Sequence, residues 1–276
     1  MQSRRKSVSL IKFLIIILLG IWSLFPVFWN LMTAIKDRSD IFSQTPKFIF
    51  SPDWSAIKTA FSPGSASIYQ YLWNSIIIGL GATCITLLIG IMAAYSLSKN
   101  RFKYKSVIWL LILATRLLPP ISTIIPLFMM ASKYRLIDTY ILMILINVAL
   151  NLPFSIWLLK SFFDSIPTEI QEASNIDGCT VFQSVIHILI PLVAPGVATA
   201  ATFTFVQVWN EYTFSSIFTG TKVQTLPLLV AASRGEDMFM WQDMSARTSV
   251  LLVPVVLLGL YLQKNLVGGL TAGAIK

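Results

Sequence analysis

Long apolar runs separated by short polar segments dominate the chain. The runs cover residues 13–34, 71–98, 107–131, 139–159, 188–210 and 248–263. A helix needs about 20 apolar residues to cross the hydrocarbon core, and it bonds every backbone polar group within its own segment. The pattern therefore predicts an all-α polytopic membrane protein, with six transmembrane helices in a single domain over residues 1–276.

Two apolar segments are marginal as spans. The last run has only 16 residues between Arg247 and Lys264, so it crosses only if these two side chains snorkel to the headgroups. The stretch from Val223 to Ser233 is 11 residues long and contains Pro227. Its length favours an interfacial or re-entrant piece.

Basic residues predict the orientation of the spans. They cluster before the first run, as Arg4, Arg5, Lys6 and Lys12, and after the second run, as Lys99, Arg101, Lys103 and Lys105. Short loops rich in Lys and Arg stay in the cytoplasm. With an even number of spans, both chain termini are predicted to be cytoplasmic.

Composition excludes several classes of protein. The chain is 55% hydrophobic and 12% charged, about half the charge of an ordinary soluble domain. One histidine and two cysteines argue against a metal centre or a disulfide scaffold. Most of the net charge of +9 flanks the spans, which favours contact with membrane lipid and gives no reason to expect nucleic acid.

The fourth connection, residues 160–187, is cytoplasmic by span count but unusually acidic. Its charged residues are Lys160, Asp164, Glu169, Glu172 and Asp177. Pro167 suits a helix start, and Gly178 suits a helix end with positive φ. Thr180 and Gln183 have the spacing of a capping box. These features predict two short helices with a break, either as a docking segment or as a solvated loop.

The amino-acid sequence of this loop resembles a known motif. Glu172-Ala173-Ser174, Gly178 and Ile188-Leu189-Ile190-Pro191 are similar to the EAA motif of ABC importer membrane subunits, E-A-A-x3-G-x9-I-x-L-P. Ser174 and Ile190 depart from it. In that family the loop contacts the ATP-hydrolysing subunit. The resemblance implies a coupling role for Glu169, Glu172, Ala173, Ser174, Asp177, Gly178, Ile188 and Pro191.

The whole chain looks closest to the carbohydrate-uptake branch, and within it to the second membrane subunit of maltose-type importers. The shared features include Trp209-Asn210-Glu211 and the small-residue tail 268–274. The resemblance implies that Gly269, Leu270, Thr271 and Gly273 contact the ATPase, although a flexible terminus would have the same composition. It also implies that residues 225–232, with Arg234, Glu236 and Asp237, contact a solute-binding protein.

The same resemblance implies a set of partners. They are a second permease subunit, forming a heterodimer more readily than a homodimer, two ATP-binding subunits, and a periplasmic or lipid-anchored solute-binding protein in the bacterial cytoplasmic membrane. No glycine of the chain is followed by lysine, so the phosphate-binding motif of an ATPase is absent. ATP and Mg are therefore expected on the partner, and this chain is expected to bind no cofactor and to catalyse no reaction.

Polar residues within the runs are candidates for the solute pathway. Arg116 lies nine residues into the third run, which is about 14 Å along a helix. The carbonyls freed by Pro119 and Pro120 could hold its guanidinium, so a structural role and a pathway role stay equally open. Thr204, Gln207, Asn210 and Glu211 share one helical stripe, and Asn151 is a further candidate. Interhelical hydrogen bonding is the alternative explanation for the stripe.

Together these features predict a permease subunit of a binding-protein-dependent ABC importer. It would carry sugars or oligosaccharides by alternating access. Glycerol phosphates or polyamines are alternative solutes. An ion-driven secondary transporter is a more distant alternative, because Glu211, at the end of the fifth run, is the only acidic residue assigned to a span and inverted repeats are not evident.

Overall fold

Helices form all the regular structure that is described. The computed structural model describes the backbone of residues 2–62, 67–233 and 240–272, and the side chains of 12–62, 67–233 and 240–260. Its α-helices are α1 (Gln2–Ala34), α2 (Arg38–Ile41), α3 (Ser55–Phe61), α4 (Ile68–Lys99), α5 (Lys105–Ala114), α6 (Ile124–Lys133), α7 (Tyr140–Asp164), α8 (Thr168–Ile176), α9 (Val181–Ser184), α10 (Ile190–Leu192), α11 (Ala194–Trp209), α12 (Thr213–Phe218), α13 (Leu226–Ala231) and α14 (Trp241–Ala272). The all-α fold class is confirmed.

Four helices are long and apolar enough to cross a membrane. They cover Lys12–Ala34, Ile68–Lys99, Tyr140–Asp164 and Trp241–Leu260. Two further candidates are bent pairs, Lys105–Leu117 with Pro120–Lys133 at 94° and Val181–Leu192 with Ala194–Trp209 at 82°. By length and composition, the described residues thus contain four candidate spans, or up to six if each bent pair is one span. A count of six stays a prediction.

Prolines explain why the third run, 107–131, is not one continuous helix. A residue before proline avoids the α region, and Leu118 accordingly has an extended ψ of 126°. At the break, the backbone N–H of Ser122 donates to the Pro119 carbonyl at 3.0 Å. The hydroxyls of Ser122 and Thr123 also donate to the carbonyls of Pro119 and Pro120 at 2.7 Å each, so these carbonyls are satisfied within the segment.

The fifth run, 188–210, is also interrupted. The helical path begins at Val181, passes through a π-helical turn at Val185–Leu189, and bends after α10. Val193 leaves the helical region with ψ of 12°, and Pro195 then lies at the start of α11. Proline is well suited to the first turn of a helix because its missing N–H is not needed there.

The sixth run belongs to a longer helix than the sequence indicated. α14 begins at Trp241, before the predicted start at residue 248. Arg247 donates to the carbonyl of Leu229 at 3.3 Å and to Ser233 Oγ at 2.8 Å. These contacts hold its guanidinium, and the snorkelling of Arg247 and Lys264 stays a prediction. Arg234, Glu236 and Asp237 lie outside the described residues.

The chain divides into two compact units. The first consists of residues 1–69 and 229–253, and the second of 70–228 and 254–276. In the first unit Ala34, Ala56 and Ala246 form a small buried cluster. Asn30 Nδ2 adds hydrogen bonds to the Ser245 carbonyl and to Ser249 Oγ. Small side chains thus let the helices of this unit approach closely.

In the second unit α7 packs against α4 and α11. Gly90 brings α4 close to Leu159, where a Cβ would lie 3.3 Å from Leu159 Cδ1. A Cβ on Gly196 of α11 would overlap the Phe162 ring. A side chain at position 90 would be tight against Leu159, and one at position 196 would have no room unless the Phe162 ring moved.

A half-buried carboxylate organises the loop that follows α12. Asp138 accepts hydrogen bonds from the backbone N–H groups of Thr221, Lys222 and Val223 at 3.0–3.1 Å. Gly220 allows this approach, since a Cβ there would lie 2.8 Å from Asp138 Oδ2. Burial by itself raises the pKa of Asp138. The hydrogen bonds from the N–H groups of this loop together lower it by more, so the pKa lies below its usual value.

Asp138→Asn should destabilise the protein at neutral pH by about 1–3 kcal/mol, because a neutral amide oxygen replaces an acceptor for several N–H groups. The lowered pKa makes this contribution present above about pH 4 and lost as pH falls through the folded-state pKa. Thermal unfolding in detergent at several pH values measures the effect. Asp177→Asn, at an exposed position, is the control. Equal melting of wild type and Asp138→Asn at neutral pH would contradict the assignment.

Candidate functional site

The acidic connection folds into two short helices with a sharp break, as the sequence predicts. α8 begins after Pro167 and ends at its C-cap, Asp177. Gly178 follows with φ of +80°, a conformation that costs other residues about 1–2 kcal/mol. Thr180 and Gln183 form both bonds of the capping box. We call residues 165–184 the elbow.

The motif residues divide into an exposed group and a buried one. Glu169, Glu172, Ala173, Asp177, Gly178 and Pro191 are exposed, and Ile188 is half-buried. Ser174 is buried, at 2% exposure. The exposed group leaves the acidic side chains free to meet a partner, whereas Ser174 faces the interior of the elbow.

Large apolar side chains also lie exposed at the tip of the elbow. Ile176 is 86% exposed, Phe182 is 62% exposed, and Val181 is exposed as well. They lie beside the break at Gly178, among the acidic residues of α8. Exposed apolar groups clustered with charges are typical of a surface that contacts another protein. These residues could not be predicted from the sequence, because a few apolar residues in a polar loop show no hydrophobic periodicity.

Side chains at the end of α4 anchor the elbow. Gln171 Nε2 donates to the Tyr95 hydroxyl at 3.0 Å, and Lys99 Nζ donates to the Ile166 carbonyl at 2.5 Å. Ser98 Oγ donates to Asp164 Oδ1 at 2.6 Å. Lys99 served only as an orientation charge in the sequence analysis. The contact could not be predicted because it joins positions 67 residues apart in the chain.

A pair of serines joins the two arms of the elbow. Ser174 Oγ lies 2.8 Å from Ser184 Oγ, and it also donates to the Gln171 carbonyl at 2.7 Å. Both side chains are buried. Ser174 is the position at which the sequence departs from the EAA motif. The hydroxyl of Ser184 gives the departing residue a hydrogen-bonding partner.

The proposed C-terminal contact is only partly described. The backbone of Gly269, Leu270 and Thr271 continues α14, which ends at Ala272. Their side chains and all of Gly273 lie outside the described residues.

A second feature is a cavity of about 640 Å³ lined by α5, α6, α7 and the broken connection between α5 and α6. Most of its lining is apolar, and Arg116 lies on its wall. The guanidinium carbon of Arg116 lies 5.3 Å from the centre of the Phe154 ring. Among the described residues, the carbonyls of Pro119 and Pro120 accept from the hydroxyls of Ser122 and Thr123, and no hydrogen bond joins them to Arg116.

The polar stripe of the fifth run is not brought together on one surface. Thr204 is buried and hydrogen-bonds to Ser155 Oγ at 2.9 Å, while Gln207 is exposed. α11 ends at Trp209, and Asn210 turns back to the Val206 carbonyl. Glu211 accepts from the backbone N–H groups that begin α12, Phe214 at 2.6 Å and Ser215 at 3.0 Å. The stripe prediction assumed a helix that continues through Glu211, which the turn after Trp209 prevents.

Asn151 makes a local contact. It is buried in α7, and its Nδ2 donates to the Asn147 carbonyl one turn earlier at 2.9 Å. Asn147 does the same to Met143, and its own Oδ1 is buried without a partner among the described residues. Arg116 is thus the predicted pathway residue that lines the large cavity.

Residues 86–271 match the family model described as "Binding-protein-dependent transport system inner membrane component". This range covers both the elbow and the cavity. The chain belongs to that family. Its members are ABC transporter permeases, which agrees with the resemblance carried by the elbow motif, and the inner membrane is their location.

Characterised relatives cover nearly the whole chain. The sulfoquinovosyl glycerol transport system permease protein SmoH of Agrobacterium fabrum is 34% identical, over 96% of this chain and 93% of the relative. The trehalose/maltose transport system permease protein MalG of Thermococcus litoralis is 32% identical, over 94% of each chain.

A solved bacterial ABC transporter that imports the acidic polysaccharide alginate has a similar fold. Its TM-score is 0.78, with 19% identity over 94% of this chain and 96% of that one.

Ser174→Ala should lower the stability of the elbow by about 1–3 kcal/mol, because it leaves the Ser184 hydroxyl buried without its partner. The double variant Ser174→Ala with Ser184→Ala should lose less than the sum of the single variants. Melting temperatures of the purified chain measure both effects. Ser161→Ala, which removes an exposed hydroxyl, is the matched control. Strict additivity would show that the two hydroxyls do not interact.

Proposed function

We propose that this chain is one of two permease subunits of an importer for sugars or oligosaccharides. It binds neither ATP nor Mg, and the hydrolysis that drives it occurs on two partner ATPase subunits. A binding protein delivers the solute at the outer face, and the spans open alternately outward and inward. Its pairing with a different permease subunit is part of this proposal.

The observation that supports this proposal most directly is the elbow. Its tip presents exposed Ile176 and Phe182 among acidic side chains, as a docking surface would. Its base is tied to α4 through Tyr95 and Lys99. A force applied at the tip therefore reaches α4 through these hydrogen bonds. A second route is the continuous helical path from α9 into α10, which leads toward α11. Coupling needs such a contiguous physical connection between the motor and the spans.

The orientation of the chain follows from this role. The elbow must lie in the cytoplasm to meet an ATPase, which agrees with the basic residues at the N-terminus and at Lys99 to Lys105. An even number of spans then places both termini in the cytoplasm. We extend the proposal to the end of α14, where Gly269 to Gly273 would contact the ATPase.

Saccharides are the solute class that the relatives favour. SmoH and MalG carry names that refer to a glycosylated glycerol and to disaccharides. The cavity beside α7 has a volume within the usual range for small-ligand sites, about 300–1,000 Å³. Arg116 gives its wall a permanent positive charge able to donate hydrogen bonds to solute oxygens.

The native cysteines provide a test of the docking surface. Cys179 lies inside the elbow, and Cys84, the other cysteine, lies in α4. In a Cys84→Ser chain, a crosslinker that carries a maleimide at one end and a photoreactive group at the other should join Cys179 to the ATPase subunit of the assembled transporter. Cys179→Ser is the control that abolishes the product. Labelling of Cys179 by a membrane-impermeant maleimide from outside intact cells would contradict the proposed orientation.

Replacing the apolar tip should uncouple the motor. Ile176→Ser combined with Phe182→Ser removes the apolar contact while leaving the buried base of the elbow unchanged. We expect solute uptake to fall roughly tenfold or more, since losing two buried apolar side chains from an interface costs several kcal/mol. Uptake and ATP hydrolysis in proteoliposomes measure the effect. Tyr104→Ser, at an exposed site outside the elbow, is the control. Solute uptake at the wild-type rate in the double variant would exclude this surface as the ATPase contact.

Arg116→Gln should reduce uptake about 10- to 100-fold with normal assembly, if the guanidinium donates to the solute during passage. Arg116→Lys should recover part of the activity by keeping the charge. Arg135→Gln, an exposed arginine beyond α6, controls for the loss of one charge. Unchanged uptake by Arg116→Gln would leave the arginine with only its contact to Phe154.

A further inference from the structure

A buried lysine lies beside a second cavity, in the first unit. Lys36 follows α1 and is only 3% exposed. Its ammonium lies 4.6 Å from the ring centre of Trp29 and 5.2 Å from that of Phe50. It borders a cavity of about 530 Å³ formed by the end of α1, the segment that follows it, and the start of α14.

The ammonium of Lys36 has no anionic partner among the described side chains. Two aromatic faces stabilise its charge, but aromatic rings leave its three N–H donors without an oxygen acceptor. Asp40 also borders the cavity, and its carboxylate is 2.5 Å from Lys47 Nζ. The Asp40 and Lys47 charges offset each other, so the part of the cavity wall formed by described residues retains one positive charge. A buried cation in this state favours an anionic ligand.

The position of the cavity indicates where such a ligand comes from. It extends along α1 from Pro26 to the helix end at Ala34, which is about 12 Å at 1.5 Å per residue. The preceding part of α1 is an exposed apolar span. Trp29, Trp241 and Phe42 line the cavity, and aromatic side chains of this kind gather at the level of lipid headgroups.

We propose that this cavity binds the phosphate of an anionic phospholipid, with Lys36 donating to its non-bridging oxygens. The apolar side of α1 accommodates the start of the acyl chains. The site uses residues outside the elbow and the α7 cavity, and it does not depend on the proposed transport function. It would tie the end of the first span to the membrane surface.

The test uses the purified full-length chain in detergent and its matched variant Lys36→Met. Methionine keeps the length and packing of the side chain and removes the ammonium. Thermal unfolding is followed with dihexanoylphosphatidylglycerol, with dihexanoylglycerol, which lacks the phosphate, and with inorganic phosphate. We expect only the phosphatidylglycerol to raise the melting temperature. Its apparent affinity should fall at least about tenfold in Lys36→Met. Lys58→Met, at an exposed lysine of α3, should bind as wild type does.

Two outcomes would overturn the proposal. Equal binding of phosphatidylglycerol by wild type and Lys36→Met would show that the lysine holds no ligand. A Lys36-dependent shift produced fully by inorganic phosphate, with none from the lipid, would assign the site to a soluble anion. If Lys36→Met does not fold, photoactivatable phosphatidylglycerol on the wild-type chain decides. Labelling should fall between Pro26 and Pro46, and labelling confined to other segments would refute the site.

Discussion

Backbone hydrogen bonding is the constraint on which this structure depends. Hydrocarbon offers no partner to an exposed N–H or C=O, so each place where the chain leaves a helix must be satisfied by the protein. Ser122 and Thr123 bond the carbonyls of the proline break. Glu211 caps the start of α12, and Asp138 accepts from the loop that follows it. The polar side chains near the spans serve this need before any other.

This constraint changes the interpretation of polar residues in the spans. An intramembrane polar group is a functional candidate by default because it is costly to insert. Thr204 bonds to Ser155 of the neighbouring helix α7, and Asn151 and Glu211 bond to nearby backbone groups, so all three have hydrogen-bonding partners within the protein. Arg116 differs, since it contacts a ring and borders a cavity. Lys36 resembles Arg116 in this respect, since its ammonium contacts two aromatic rings and borders a cavity.

The elbow combines a rigid base with an exposed tip. Its base is fixed by hydrogen bonds to Tyr95 and Lys99 and by the buried serine pair. Its tip exposes apolar and acidic side chains that have no role within the described part of the chain. A segment that is fixed at one end and exposed at the other is well suited to transmit force between a partner and the spans.

Patterns in the amino-acid sequence were sufficient to predict the helical class, the positions of the long apolar segments and the helix-break-helix plan of the elbow. These features follow from local rules, since hydropathy, proline, glycine and capping residues act over a few positions. The resemblance of residues 172–191 to the EAA motif also indicated the family. The backbone effects of Pro119 and Gly178 can be predicted from local rules, because each depends on the conformation of the residue itself and its immediate neighbour.

Which side chains meet depends on the three-dimensional path of the chain. Lys99 contacts Ile166, Asp138 binds a loop more than 80 residues later, and Ser184 bonds to the serine that departs from the motif. The turn after Trp209 likewise places Glu211 beyond α11 and off its polar stripe. Such contacts depend on the path of the chain between distant positions, and no local pattern in the residues specifies that path.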